Sequence, residues 1–441
     1  MLPTSATDAG LRSAWLVTVL MWISAGAGGA SLFCGLAALR RGWQPPARLL
    51  LAAGLAAAAS LLLVPPLGNG DIGSYAAYGR LVELGESPYE NVPAAFASDP
   101  VVGAVEPPWQ DQASVYGPVA TLLQYGAAHL GGDSREAVLR LLALTAALGF
   151  AGVALGLHRW SAHRARAQLL WTCNPLLLLH LVASAHVDVF VAAVLLVSVT
   201  GRPTALRRGL ALGAAIGIKI TAGLSVAALV LAGPKRSWRP VLGAALVAGA
   251  GYLAVGGISA LQPVLEARSR VSGGTPWRWV TSGLEQVLPV GLARALVGLG
   301  VVVLALALIR VLRRDLPAAE PFVRASAMVW LAYLFAAGYQ LAWYDSVGFV
   351  FLALLSASRW DGLLVAHSLV LTLAYLPGRV VPLPESLDAV LPIVRSVACP
   401  AVLLVLWWCA LRRPANAAAE LSPAQALDLP ADPARAPQHR R

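Results

Sequence analysis

Asp71, His186, Asp188 and Lys219 are the residues of this sequence best suited to moving a proton or holding an anion, and each stands at a break in an apolar run. Asp71 opens "DIGSYAAYGRLVELGESPYE", where a carboxylate could take a proton from a hydroxyl or could simply cap the segment that follows. Lys219 lies in "GLALGAAIGIKITAGL" and is one of only two lysines among 33 lysines and arginines. An ammonium amid apolar residues is costly unless the run turns there and offers it an anion, and phosphate suits it. His186 and Asp188, in "NPLLLLHLVASAHVDVFVAAVL", are two residues apart and face different sides of a regular helix. They converge only if the turn is irregular, and a structural hydrogen-bonded pair fits them as well as a catalytic one. "YQLAWYDSVGF" adds Trp343, Tyr344 and Asp345 at a similar break.

The elements that must position these residues are membrane helices. Of the 441 residues 58% are hydrophobic and 12% charged, and the apolar runs recur at the length that crosses a core of about 30 Å. The net charge of +11 falls in short loops: Arg40, Arg41 and Arg48; Arg159, Arg164 and Arg166; Arg202, Arg207 and Arg208; Lys235, Arg236 and Arg239; Arg310, Arg313, Arg314 and Arg324; Arg412 and Arg413. Such clusters orient a membrane protein and give no reason to expect nucleic acid; placed in the cytoplasm, they require about thirteen crossings, with the N-terminus outside and the C-terminus inside. The expectation is an all-α polytopic protein of the cell membrane, with residues 1–411 as one integral unit and 412–441 as a disordered cytoplasmic tail.

On this topology residues 66–134 form a long extracytoplasmic loop, in which Arg80 is the only arginine or lysine against eight acids, Asp71 among them. Within it "DIGSYAAYGRLVELG" reads as an amphipathic helix on the membrane, and "VYGPVATLLQYGAAHLGG" as an interfacial or re-entrant piece. A second outer loop, 262–287, carries Trp277 and Trp279 as interface anchors. Asp71, His186, Asp188, Lys219 and Asp345 then gather at outer tips and suggest one polar site at the outer membrane boundary. Gly209, Gly213 and Gly217 read as close helix packing, and His180 and His367 as satisfied core histidines. The four cysteines lie in apolar segments and support neither disulfides nor a zinc site; no metal-ligand spacing occurs and no cofactor is expected.

The order "GDIGSYAAYGRLVELGESPYE", "VYGPVATLLQ", "NPLLLLHLVASAHVDVF", "GAAIGIKITAGL" resembles the polyprenyl-phosphate-sugar-dependent membrane glycosyltransferases of the C-type fold, most closely the actinobacterial α-1,6-mannosyltransferases. The resemblance runs from about residue 69 to 232. It implies a polyprenyl-phosphate-linked sugar donor, by default mannose, and a glycan or glycolipid acceptor, with the chemistry on the extracytoplasmic side among membrane lipids. It further implies Asp71 as general base, Lys219 and His186 on the donor phosphate, and Asp188, Tyr75, Arg80, Tyr116, Tyr344 and Asp345 as substrate contacts.

The chemistry agrees with that assignment. Transfer from a lipid-linked sugar phosphate needs a base for the acceptor hydroxyl and a cation for the phosphate as it leaves. The competing class is a transporter or flippase of lipid-linked sugars, whose broken helices also present charges; against it, the polar residues gather at outer tips and no internal repeat occurs.

Overall fold

The computed structural model describes residues 8–66, 70–107, 109–201, 203–267, 270–377 and 385–412, and within them all regular structure is helical. The chain begins with α1 (Asp8–Arg40) and α2 (Ala47–Leu61), then forms the hairpin-like pair α3 (Asp71–Glu83) and α4 (Pro118–Gly131). After α5 (Arg135–Trp160) and the short α6 (Arg164–Leu170), α7 (Pro175–Ala183) and α8 (Asp188–Val199) meet at a 111° bend. Next come α9 (Ala205–Ile218), α10 (Ile220–Ala232), α11 (Pro234–Ala254) and α12 (Ser259–Ala267), then α13 (Pro276–Leu284) and α14 (Val290–Asp315). The last four are α15 (Pro321–Ala336), α16 (Ala342–Leu354), α17 (Arg359–Tyr375) and α18 (Ser386–Leu411). The expected tail lies outside the described residues, apart from Arg412.

Among the described residues, α1, α5, α14 and α18 are long and apolar enough to cross a bilayer, and the bent pairs α7/α8 and α11/α12 could raise the four to six. The shorter apolar helices α2, α10, α15 and α16 do not reach that length. Helix length therefore does not give the expected thirteen crossings.

The arginine-bearing loops nevertheless meet at one end of the bundle. Arg40 donates to the Ser358 carbonyl at 2.7 Å, Arg208 to the Ser198 carbonyl at 3.2 Å, and Arg359 to Asp315 and the Ala410 carbonyl, each at 2.7 Å. Arg166 is buried there: it pairs with Asp361 and donates to the carbonyls of Leu352 and Leu355, the latter at 2.7 Å. Both carbonyls lie at the end of α16, where the Leu352 carbonyl also accepts from the Leu355 N–H, so the guanidinium binds a helix terminus as well as a charge.

From that end α8, α9 and α16 rise only about 18–21 Å, at 1.5 Å per residue, before the chain turns. Val189, near the start of α8, packs on Gly149, near the middle of α5. The tips of these helices are therefore level with the middle of a full-length helix. The shortness of α8, α9 and α16 is set by where their turns fall, which apolarity alone does not mark.

Glycines let the supporting helices approach. A Cβ on Gly209 would lie 2.9 Å from the Pro240 carbonyl, and one on Gly213 2.6 Å from Val247, so α9 and α11 pack almost backbone to backbone. On the other side α3 is buried from Ile72 to Gly79 and again at Leu81, and is no helix lying on a surface. Gly79 sets its distance from α4: a Cβ there would meet the Gln124 carbonyl oxygen at 2.1 Å.

Candidate active site

Asp71 is the first residue of α3, after Gly70 at the N-cap, and Tyr75 follows one turn later on the buried side. Tyr116 is delivered by a separate device. The Gly117 N–H donates to the Ile218 carbonyl at 3.0 Å, tying the start of α4 to the end of α9. Tyr116 then sets its ring edge-on to Tyr75 at 5.0 Å and donates its hydroxyl to that of Tyr75 at 3.4 Å.

The turn between α7 and α8 is irregular, as convergence of His186 and Asp188 requires. Residues Leu178–Ala183 are π-helical, and Ala185 has φ 53°, a left-handed conformation that a residue with a Cβ adopts only when its surroundings hold it there. The two side chains take different partners. Nδ1 of His186 lies 3.5 Å from Asp71 Oδ2 and 3.4 Å from the Tyr75 hydroxyl, while its ring stacks on Trp343 with centroids 3.6 Å apart. Asp188 accepts from Lys219 at 2.8 Å through Oδ1, and its Oδ2 is buried with no hydrogen-bond partner among the described residues.

Lys219 ends α9 in an extended conformation, turning its side chain back across the tip of α8. Nζ lies 3.7 Å from the Tyr344 ring centroid, so the ammonium is held by a carboxylate and an aromatic face together. Asp188, Lys219 and Tyr344 thus form one group and Asp71, His186, Tyr75 and Trp343 a second; adjacent residues, Trp343 and Tyr344, join the two.

Burial, above all, raises the Asp71 carboxyl to about 7; the Lys219 charge opposes this and the Asp188 charge reinforces it. A helix N-terminus favours a carboxylate by roughly 0.3–1 kcal/mol, so here desolvation outweighs the dipole. A carboxyl titrating near neutrality in a buried cluster is suited to accepting a proton.

Two expected site residues are placed elsewhere. Arg80 donates to Asp99 at 2.9 Å and to Asp133 at 2.5 Å, holding the first loop to the start of α5. Asp345 turns inward to His367 at 2.9 Å. Asp71, Tyr75, Tyr116, His186, Asp188, Lys219 and Tyr344 are brought together. Trp343 was expected only as part of an outer tip, and Tyr375, which packs edge-on to Trp343 at 4.9 Å, was not singled out at all. The aromatic density of "YQLAWYD" was the available signal. His180 is satisfied by Thr372 at 2.9 Å, and among the described residues no group of three His, Cys, Asp or Glu side chains could hold a metal ion.

The family model of the N-terminal domain of alpha-(1->6)-mannopyranosyltransferases matches residues 4–234, more than half of the chain. The chain belongs to this family. The match contains Asp71, Tyr75, Tyr116, His186, Asp188 and Lys219 and ends before the aromatic turn. A probable alpha-(1->6)-mannopyranosyltransferase of Mycolicibacterium smegmatis is 30% identical over 238 residues, 50% of this chain and 38% of that protein. Alpha-(1->6)-mannopyranosyltransferase A of Mycobacterium tuberculosis is 29% identical over 264 residues, 55% of this chain and 49% of that protein. The matched stretch thus spans less than half the length of either relative. No solved structure matches the chain.

Proposed function

We propose that this protein is a membrane glycosyltransferase that moves a sugar, by family mannose, from a polyprenyl-phosphate donor to a glycan or glycolipid acceptor. The observation that carries the reading is one buried cluster in which a carboxyl, Asp71 beside His186, and an ammonium, Lys219 on Asp188, are joined through the adjacent Trp343 and Tyr344. Asp71 takes the proton of the acceptor hydroxyl as that oxygen attacks the anomeric carbon. Lys219 stabilises the negative charge that collects on the phosphate as the glycosidic bond breaks. His186, stacked on Trp343 beside Asp71, orients the base or contacts the phosphate, and Tyr75, Tyr116, Asp188 and Tyr344 line the substrate space. The orphaned Oδ2 of Asp188 is an acceptor for a sugar hydroxyl.

In this reading residues 1–411 form one multi-pass unit of about thirteen crossings, short helices and re-entrant pieces included, with the arginine end in the cytoplasm and the cluster open to the extracytoplasmic side. A reporter fused after Arg413 should read as cytoplasmic, and one inserted near Pro93 should not.

The alternative, a transporter of lipid-linked sugars, draws support from helices that end level with the middle of α5, since transport sites favour that depth. One experiment separates the two. Purified protein is incubated with a panel of polyprenyl-phosphate sugars and an oligosaccharide acceptor, and released polyprenyl phosphate is measured. Release with polyprenyl phosphomannose supports transfer; no release from any donor, with donor flux in proteoliposomes, replaces the enzyme by the transporter.

A further inference from the structure

The segment that carries Trp343 and Tyr344 is short, irregular and buried, so something must hold its shape. "QLAWYD", residues 340 to 345, leaves α15 behind and begins α16 with a single tight turn, Ala342–Tyr344. Both of its ends are fastened to one side chain on another helix. His367, in the middle of α17, contacts Asp345 Oδ2 through Nδ1 at 2.9 Å and Gln340 Oε1 through Nε2 at 3.2 Å. The Gln340 amide is oriented by its own Nε2, which donates to the Ala337 carbonyl at 2.9 Å, so Oε1 must be the atom that faces the imidazole. Nε2 of His367 therefore donates. The ring stacks on Phe335 at 4.6 Å, and His367, Asp345 and Gln340 are all buried.

Between the two fastened ends the segment presents two aromatic faces, Trp343 against His186 at 3.6 Å and Tyr344 against Lys219 at 3.7 Å. From the outside Ser272 grips the same segment, accepting from the Gln340 N–H at 2.7 Å and donating to the Gln340 carbonyl at 3.0 Å. We infer that His367 is a positioning residue: by clamping Gln340 to Asp345 it fixes the aromatic turn that orients both His186 and Lys219, and it does so without touching substrate. The inference rests on the proposed transfer reaction for its kinetic consequence, but the clamp itself does not.

The two lysines of the chain make the test direct. In detergent-solubilised protein, Lys219 and Lys235 are labelled with an amine-reactive reagent and quantified by mass spectrometry, Lys235 serving as the internal reference. With Tyr344 and Asp188 in place Lys219 reacts slowly. In His367→Ala, Tyr344 is released, and Lys219 labelling relative to Lys235 should rise about tenfold, the scale of one lost buried hydrogen bond. The donor KM should rise by a similar factor and the pH midpoint of transfer should move, whereas a merely structural loss would lower only the yield of active protein. His367→Asn, which keeps the contact to Asp345 alone, should recover part of each effect. Asp345→Asn and Gln340→Ala repeat the measurement should His367→Ala fail to fold. Unchanged Lys219 labelling in the folded variants overturns the clamp, whether or not the protein transfers sugar. Raised labelling with a wild type that transfers nothing overturns the proposed reaction and leaves the clamp standing.

Discussion

Lys219 and Asp188 meet at 2.8 Å, the residue that ends one half-length helix against the residue that begins another, with side chains only 14% and 6% exposed. Removing one partner strands the other away from water. Lys219→Met and Asp188→Leu should each destabilise the protein by about 3–5 kcal/mol, while the double variant should lose much less than their sum. Denaturant unfolding in detergent measures all three; additive losses would mean that the two groups do not act as a pair.

Asp71→Asn preserves size and most hydrogen bonding while removing the basic lone pair. The transfer rate should fall about a hundredfold or more with donor binding retained. Full activity in this variant would remove Asp71 as the base and turn attention to Asp188.

The raised titration of Asp71 fixes the sign of the pH response. The base must be ionised to act, so kcat/KM should climb through an acid limb with its midpoint at about 7. The Asp188 charge raises that midpoint and the Lys219 charge lowers it. Asp188→Asn should accordingly move the limb to lower pH, both by removing a negative charge and by leaving Lys219 uncompensated. A limb that stays in place would show that another group controls the rate.

Gly79→Ala tests the support of the site. Its Cβ would lie 2.1 Å from the Gln124 carbonyl oxygen and 2.4 Å from its carbon, a backbone contact that cannot rotate away. A loss of about 1–3 kcal/mol in stability is expected, with reduced transfer because α3 carries both Asp71 and Tyr75. Gly152→Ala, with open space around it, is the control.

Much of this arrangement was legible in the sequence because charge is so scarce in it. Arginine clusters marked the loops, and Lys219 could stand in an apolar run only if the run turned there. His186 and Asp188 announced an irregular turn, yet nothing local marks Ala185 as the residue that takes the left-handed conformation. The partner of Asp345, His367, lies on another helix, and Asp99 and Asp133 reach Arg80 only after the loop folds back, so neither pairing was legible. Side-chain destinations across helices are set by tertiary packing, which periodicity does not encode.

The short reach of α8, α9 and α16 has an electrical consequence. If, as proposed, α5 crosses the hydrocarbon layer, tips level with its middle sit about halfway through that layer. A full crossing is worth about 2.3 kcal/mol per unit charge at 100 mV, so a charge moving between the tips and the outer water does about 1 kcal/mol of work. In the proposed orientation, a proton that leaves Asp71 for the outside moves against an interior-negative voltage. If that departure limits turnover, transfer in an energised membrane is about fivefold slower than in detergent at the same pH, and collapsing the voltage restores it.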